Sequence, residues 1–256
     1  MREVPLGGNL QDAVRVGDTV RRRAGPWTPA VHALLRYLEH ANFPAPRVVG
    51  MDTLDREVLR YIEGEAHNGT TEPLPRILLA DDLLVSAAEL LRRYHDVVAK
   101  FRPPPNATWR LTAPTRYELI CHNDWTPWNA LLRRGRVEVM LDWDLAGPGT
   151  RVWDVANAAY AWVPLIAASH LAPDTAEQIR RLRLFLDAYG LRDRSEVLLT
   201  MRSRLQHVSD LITRDAAAGD SGMQRLVAMG APRNMLEQDV TWLDRNWAAL
   251  ERALQD

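Results

Sequence analysis

The chain has 256 residues, of which 46% are hydrophobic and 25% charged, and its formal net charge is −1 at pH 7. These values predict a globular protein of one large or two small domains with a substantial core. The near-neutral charge argues against nucleic acid or an anionic membrane as a partner, because both attract strongly basic surfaces. The single cysteine, Cys121, excludes a disulfide framework and a cysteine-rich zinc site, and it favours a reducing compartment.

The N-terminal and apolar segments both favour a cytoplasmic protein. The first residues, MREVPLGGNLQDAVRV, lack the apolar centre of a signal peptide. The longest apolar stretch, residues 155–172, contains Asn157, Pro164 and His170 and is more typical of a buried helix than of a membrane span. The only lysine is Lys100, and its surroundings exclude a P-loop of the form GxxxxGK[ST].

The N-terminal part of the chain predicts a small β-rich lobe. Two alternating runs, DAVRV and TVRRR, flank Gly17-Asp18 and are typical of a β-hairpin. The next segment, TPAVHALLRYLEHA, predicts a helix with Thr28 as N-cap and Pro29 in the first helical position. The segments PAPRVVGMD and REVLRYIEG predict two more strands, the second of which closes at Gly64.

Helical patterns dominate the rest of the chain. After a polar linker, RILLADDLLVSAAELLRRYHDVVA predicts a long amphipathic helix with a break near Asp81. A proline-rich loop and a short strand, YELICHND, come next. From Arg151 onward almost every apolar pattern has helical spacing. We therefore expect two units, residues 1–64 and residues 65–256.

Candidate chemical groups are concentrated between these helical regions, in the segment CHNDWTPWNALL. The runs ALLR and VEVML flank Arg134-Gly135 and predict an antiparallel hairpin that places Asn129 opposite Asp142. Asp124 lies on the loop that leads into the first strand of this hairpin. An amide and a carboxylate suit Mg²⁺, and a further carboxylate can accept a proton from an attacking hydroxyl.

The same pattern resembles the aminoglycoside phosphotransferase and choline kinase-like family. His122, Asp124 and Asn129 match the H-x-D-x-x-x-x-N catalytic loop of that family. Asp142 in MLDWD is similar to its metal-binding segment, and Asp154 in RVWDVANAA is similar to the D-[LV]-A start of a downstream helix. The order of the predicted elements agrees with the family over nearly the whole chain.

The resemblance implies an α+β, bilobal protein kinase-like fold. A small antiparallel β lobe with one helix, residues 1–64, would bind the nucleotide. A larger, mainly helical lobe, residues 65–256, would carry the catalytic loop and the acceptor site. The enzyme would be a bacterial, cytoplasmic phosphotransferase of the antibiotic-resistance type, either a monomer or a homodimer.

The resemblance also assigns roles to particular residues. Asp124 would be the catalytic base, and His122 would brace the catalytic loop. Asn129 and Asp142 would bind Mg²⁺, with Asp144 as a second choice. Asp154 would tie its helix to the catalytic loop.

The same resemblance implies the substrates and where the nucleotide binds. ATP or GTP would donate the phosphate, and a small molecule with a hydroxyl, such as an antibiotic, an amino alcohol or a sugar, would accept it. The hinge residues Arg60, Tyr61 and Ile62 would meet the nucleotide base.

The first lobe departs from the family pattern. Kinase-like proteins hold the nucleotide phosphates with a lysine on the third strand, which pairs with a helix glutamate. Here TVRRR supplies only arginines, of which Arg22 shares an inward face with Val20, and His32 lies where the glutamate is expected. Only Gly7-Gly8 is available as a glycine-rich loop. Arginine binds phosphate with a different geometry from lysine, and we expect Arg22 to take the lysine's place.

Three functions stay open. The first is a small-molecule O-phosphotransferase. The second is a catalytically weakened kinase-like protein that binds a nucleotide or another ligand, which the missing lysine favours and the retained Asp124, Asn129 and Asp142 oppose. The third is a metal-dependent hydrolase or glycosyltransferase with a D-x-D site, although the strands do not predict the parallel sheet it needs. A protein kinase is disfavoured because no A-P-E segment follows.

Overall fold

The computed structural model describes residues 2–6, 13–66, 76–165 and 174–255. Within these ranges the chain is α+β, with an antiparallel sheet near the N-terminus and mainly helices after it. This is the predicted fold class. The glycine pair Gly7-Gly8 lies outside the described residues. Among the helices that are described, none is both long and apolar enough to cross a bilayer.

The N-terminal sheet has five antiparallel strands in the spatial order β1-β2-β3-β5-β4. The strands are β1 (Val4–Pro5), β2 (Val14–Val16), β3 (Thr19–Arg23), β4 (Val48–Met51) and β5 (Arg56–Arg60). The predicted hairpin at Gly17-Asp18 joins β2 to β3, and Gly17 adopts the positive φ of 62° there without strain. Because β5 pairs with β3, residues far apart in sequence become cross-strand neighbours.

The helix inserted into this sheet is α1 (Thr28–His40). Its buried apolar face includes Val31, Leu34 and Leu38, which join the main core. The prediction that Thr28 caps this helix is wrong, because Trp27 occupies the N-cap position and gives no side-chain cap. The Thr28 hydroxyl instead accepts a hydrogen bond from the backbone N–H of Gly25, which fixes the turn before the helix.

The remaining helices form most of the described core. They are α2 (Asp81–Val98), α3 (Arg151–Trp162), α4 (Thr175–Tyr189), α5 (Val197–Ala217), α6 (Ser221–Ala228), α7 (Ala231–Asn234) and α8 (Val240–Gln255). A short 3₁₀ helix, Arg76–Leu79, precedes α2 and accounts for the predicted break near Asp81. Helix α2 packs against α3, α4 and the hairpin described next, so it is central to the core.

Short strands connect the sheet to the helices. They are β6 (Glu65–Ala66), β7 (Leu119–Cys121), β8 (Ala130–Arg133), β9 (Arg136–Met140) and β10 (Gly147–Gly149). Strands β8 and β9 form the predicted hairpin about Arg134-Gly135. An irregularity between Leu131 and Leu132 shifts the register. This shift moves the partner of Asn129 from Met140 to Leu141, whose N–H donates to the Asn129 carbonyl at 2.8 Å. The prediction that Asp142 lies opposite Asn129 is therefore wrong by one residue.

Strand β10 approaches the proline-rich loop so closely that Gly147 has no room for a side chain. A Cβ atom at this position would lie 1.8 Å from the backbone oxygen of Leu111. We expect Gly147→Ala to destabilise the fold by about 3 kcal/mol or more, since backbone must move. Gly135→Ala is the control, because its Cβ would meet open space and its φ of +73° is the only cost, about 1 kcal/mol. Urea denaturation measures the unfolding free energy of both variants. Equal losses of stability would contradict a backbone clash at Gly147.

Candidate active site

The loop between β7 and β8, which is the predicted catalytic loop, brings Asp124 and Asn129 into direct contact. The Asn129 side-chain amide donates to the Asp124 carboxylate at 2.8 Å and to the Asp124 carbonyl at 2.9 Å. Asn129 stands at the end of a short 3₁₀ turn and is 7% exposed, whereas Asp124 is half-buried. These bonds hold the Asp124 carboxylate in one orientation at the surface of the loop.

His122 supports this loop from its buried side. Its Nε2 donates to the Leu141 carbonyl at 2.9 Å, and its Nδ1 accepts from the Asp124 N–H at 3.1 Å. The ring also packs edge-on against Trp143, with 4.5 Å between centroids. Burial lowers the pKa of His122, which suits the neutral ring that this bonding pattern requires. His122 therefore contacts the backbone on both sides of the candidate site.

Asp142 follows β9 and is near enough for its charge to raise the pKa of Asp124. Its backbone is left-handed, with φ of 55°, and Asn123 in the catalytic loop has φ of 66°. Non-glycine residues adopt this conformation at an energetic cost, and such residues cluster in functional sites. The Asp142 side chain stays 32% exposed, so one of its oxygens can still meet a ligand.

The Asp124 carboxyl is unusually hard to ionise. Burial is the main cause and the Asp142 charge adds to it, while Arg204 and the Asn129 bond oppose the shift, and the pKa of Asp124 rises to about 8. A group that takes a proton from a hydroxyl works best with a pKa near the working pH. The environment of Asp124 thus suits a general base.

The oxygen atoms around Asp124 fit a hard divalent cation. The Asn129 amide nitrogen is committed to Asp124, which turns the amide oxygen away from that carboxylate. Asp142 adds a partly exposed carboxylate, and Mg²⁺ takes few ligands from protein and the rest from phosphate and water. In the ranges described, no group of three or more His, Cys, Asp or Glu side chains is arranged as a metal site. This donor set therefore fits Mg²⁺ in company with phosphate oxygens.

Asp154 at the start of α3 anchors the catalytic loop. Its two carboxylate oxygens accept from the backbone N–H groups of His122, at 2.7 Å, and Asn123, at 2.8 Å. The Nε2 atom of His95 on α2 lies 3.0 Å from one carboxylate oxygen of Asp154, and its Nδ1 atom contacts the Tyr189 hydroxyl. Burial alone would raise the pKa of Asp154, but the bonds and charges of the neighbouring histidines lower it below its ordinary value. A fully buried, ionised carboxylate therefore fixes the loop.

Arg22 on β3 reaches the same site from the N-terminal sheet. Its Nη1 donates to Asp142 at 2.8 Å, and its Nη2 lies 2.7 Å from Asp144. Its Nε donates to Glu57 on β5. Burial alone would lower the pKa of Arg22, but these three carboxylates raise it well above its ordinary value. Glu57 was not predictable from local sequence patterns, because only the pairing of β3 with β5 places it beside Arg22.

The hinge residues lie where β5 ends, and part of their backbone is already used. The N–H of Arg60 donates to the Arg47 carbonyl, and the N–H of Tyr61 donates to the Asp18 carbonyl, both at 2.8 Å. The Tyr61 ring lies under Arg15, with 3.8 Å from the guanidinium carbon to the ring centroid. In this arrangement neither N–H group can donate to a nucleotide base, because both are already bonded. The predicted base contacts that stay available are those of Ile62 and of the backbone carbonyls.

Arg204 on α5 is a second residue that the sequence analysis missed. It is 2% exposed, donates from Nη2 to the Asn123 carbonyl and lies over the Trp153 ring at 5.1 Å. Burial lowers its pKa, although Asp154 and Asp124 oppose that effect. Arg204 thus holds the carbonyl next to Asp124 and places a positive charge near the Asp124 carboxylate.

The two tryptophans of the catalytic segment have different environments. Trp125 is fully buried and donates to the Ala87 carbonyl at 3.0 Å, so it is a packing residue. Trp128 is 36% exposed and stands directly before Asn129. An exposed ring at this point is free to contact a bound ligand.

A protein-family model matches the part of the chain that contains these residues. The model of the family described as "Phosphotransferase enzyme family" matches residues 106–189, which include the catalytic loop, Asp142 and Asp154. The trifolitoxin immunity protein of Rhizobium leguminosarum bv. trifolii is 35% identical in an alignment of 204 residues, with 72% of this chain and 72% of that protein covered.

Several solved structures share the fold. The amicoumacin kinase hAmiN, in complex with AMP-PNP, Ca²⁺ and Ami, has a TM-score of 0.66 at 10% identity, with 92% of this chain and 88% of that chain covered. A choline/ethanolamine kinase family protein from Mesorhizobium loti has a TM-score of 0.58 at 16% identity, with 95% and 92% covered. The gentamicin–APH(2″)-IIa complex has a TM-score of 0.57 at 13% identity, with 94% and 92% covered. At this identity the likeness establishes the protein kinase-like fold.

The H-x-D-x-x-x-x-N loop, the family match over it and the trifolitoxin relative agree with one another. The chain belongs to the phosphotransferase enzyme family, which includes the aminoglycoside phosphotransferases and choline kinase-like proteins.

Proposed function

We propose that this protein transfers the γ-phosphate of ATP or GTP to a hydroxyl of a small molecule. The observation that carries the proposal is the contact of Asn129 with Asp124, beside Asp142. One proton acceptor and two oxygen ligands would then share one site, which is the minimum that phosphoryl transfer requires of a protein. The retained family motif supports the same conclusion.

In the proposed reaction Asp124 accepts the proton of the acceptor hydroxyl. The hydroxyl oxygen forms a bond to the γ-phosphorus as the bond from that phosphorus to the bridging oxygen breaks, and the nucleoside diphosphate leaves. Asn129 and Asp142 would hold the cation, and Asp144, which pairs with the same arginine as Asp142, would be a further carboxylate ligand. When bound, Mg²⁺ neutralises charge on the phosphate oxygens. His122 keeps the loop in place through its two backbone contacts.

The proposed nucleotide site lies between the two units of the chain, residues 1–64 and 65–256. Arg22 connects them, because it extends from β3 to the carboxylate of Asp142. We propose that Arg22 contacts the nucleotide phosphates once a cation takes over Asp142, and that Ile62 and the carbonyls near Arg60 and Tyr61 meet the base. The cytoplasm is the proposed compartment, and the protein is proposed to act as a monomer or homodimer.

A toxin or antibiotic with a hydroxyl is the acceptor that the comparisons favour. The relative in Rhizobium is named for immunity to trifolitoxin, and proteins of the same fold are named as an amicoumacin kinase and a macrolide 2′-phosphotransferase. Trifolitoxin, hydroxyl-bearing antibiotics, amino alcohols and sugars therefore form the panel in which nucleotide consumption should be screened.

A second function, binding without catalysis, has one observation in its favour. Arg22 is buried, and its guanidinium is already paired with the carboxylates of Glu57, Asp142 and Asp144. A protein that kept this arrangement with nucleotide present would bind a toxin rather than modify it. Nucleotide consumption that depends on an acceptor separates the two functions.

Binding of nucleotide is expected to depend on the cation and on Asp142. At about 100 times its Kd, a ligand that binds only the folded state adds about 2.7 kcal/mol of stability, so Mg-ATP or Mg-GTP should raise the Tm. Chelation of Mg²⁺ with EDTA should abolish the increase, and Asp142→Asn should remove most of it. The control is Asp187→Asn, an exposed carboxylate on α4. A full increase in Tm for Asp142→Asn would refute its role as a ligand.

A further inference from the structure

The buried pair of Arg22 and Glu57 is set by the register of the N-terminal sheet. The two residues are direct cross-strand partners on the antiparallel strands β3 and β5. Partners at such positions lie on the same face of a sheet, so their side chains are brought together by backbone pairing alone. Arg22 is 7% exposed and Glu57 is 2% exposed, so the pair is shielded from solvent.

Both oxygens of the Glu57 carboxylate are used. Oε1 accepts from Arg22 Nε, and Oε2 lies 2.9 Å from His32 Nε2 on α1. Burial alone would raise the pKa of Glu57, but the Arg22 charge and the bonds from His32 and Arg22 lower it below its ordinary value. Glu57 is therefore an ionised group between the strand and the helix, with Arg22 on one side and His32 on the other.

Helix α1 offers no acid of its own to Arg22. Its only carboxylate is Glu39, in the last turn, which is 38% exposed in its side chain and pairs with Arg47. In kinases the phosphate-binding cation of the third strand depends on a glutamate from the helix, so movement of the helix can break the pair. Here the carboxylate comes from a strand in the same sheet as the cation.

We propose that Glu57 is the positioning residue that holds Arg22 for the nucleotide phosphates, in place of a helix glutamate. This inference rests on the proposed function. The phosphate-binding arginine is then fixed by strand register and not by the position of α1, while His32 only ties the helix to Glu57. With Nε bound to Glu57, the Nη groups point toward Asp142 and Asp144, where the phosphates and cation would arrive.

The test compares the Kd of a non-hydrolysable ATP analogue with Mg²⁺, measured by isothermal titration calorimetry, across three variants. Glu57→Gln is expected to raise this Kd about tenfold or more, the value of one charge-assisted hydrogen bond. His32→Ala keeps the strand pair and should change the Kd by less than about threefold. The double variant His32→Glu with Glu57→Gln returns a carboxylate from the helix side and should recover most of the affinity. Glu138→Gln, an exposed acid on β9, is the control.

Each outcome decides a different claim. A wild-type protein that binds no nucleotide overturns the proposed function, and this inference with it. Normal binding by a folded Glu57→Gln protein overturns only the inference, because Arg22 would then need no anchor. A tenfold loss in His32→Ala also overturns it, since the helix would then position the arginine, and this variant decides the matter even if Glu57→Gln does not fold. The midpoint of urea denaturation, measured for each variant, distinguishes a loss of nucleotide binding from a loss of stability.

Discussion

Asp124→Asn is expected to lower kcat by about 10²- to 10⁴-fold, the usual contribution of a positioned general base. Asparagine has the shape of the aspartate but cannot take the proton of the acceptor hydroxyl. The Asn129 amide can still donate to the new side-chain oxygen, so the loop should keep its form. Because the raised pKa of about 8 keeps the Asp124 carboxyl mainly neutral near pH 7, the neutral amide should cause no loss of stability and no loss of Mg-nucleotide binding.

The measurement is the steady-state rate of acceptor-dependent nucleotide consumption, with the Tm measured at saturating Mg-nucleotide. Asp82→Asn, an exposed acid in the first turn of α2, is the matched control and should have the wild-type rate. A variant at Asp124 that keeps its rate within about threefold would show that another group accepts the proton. Loss of nucleotide binding together with the rate would point to a structural role instead.

Asp154→Asn is expected to destabilise the protein by about 3–5 kcal/mol, as loss of one partner from a buried charged network usually does. The carboxylate accepts from the N–H groups of His122 and Asn123 and contacts His95, and none of these groups can reach water. An asparagine satisfies at most part of this set. Equilibrium urea denaturation measures the loss. Asp96→Asn, whose carboxylate forms exposed pairs on the same helix as His95, is the control and should cost about 1 kcal/mol or less.

The cost of Asp154→Asn should also depend on pH. The pKa of Asp154 in the folded protein is below its ordinary value of 3.8, so its charge stabilises the fold above that pH. The stabilisation is lost as the pH falls through the lower folded pKa. The difference in unfolding free energy between wild type and Asp154→Asn should therefore be full at pH 6 and shrink below about pH 4. A difference that grows as the pH falls would contradict an ionised Asp154.

Local patterns in the sequence were sufficient for much of the fold. The turn at Gly17-Asp18 and the helix Thr28–His40 follow from residue types a few positions apart, and the structure has both. The hairpin of β8 and β9 was also predicted, but its irregularity at Leu131 was not, since no residue type marks it. Strands β6 and β10 escaped prediction because two or three residues are too few to show a period.

The candidate site divides in the same way. Asp124, Asn129 and Asp142 lie within one short segment, so a family motif and a hairpin were enough to propose their meeting. The roles of Glu57 and Arg204 could not be predicted from the sequence. Glu57 meets Arg22 across 35 residues, and Arg204 meets Asn123 across 81, and both contacts depend on tertiary packing that no spacing encodes. The assignment of roles to all of these residues stays a prediction until variants are measured.

The most direct test is to follow a labelled γ-phosphate. Wild-type protein would be incubated with Mg²⁺, γ-³²P-ATP or γ-³²P-GTP and each member of the acceptor panel, trifolitoxin included, and the acceptor would be separated from the nucleotide. The proposed function predicts label on an acceptor hydroxyl with wild type and none with Asp124→Asn. Toxin binding without any transfer of label, or equal labelling by Asp124→Asn, would contradict a phosphotransfer site built from Asp124, Asn129 and Asp142.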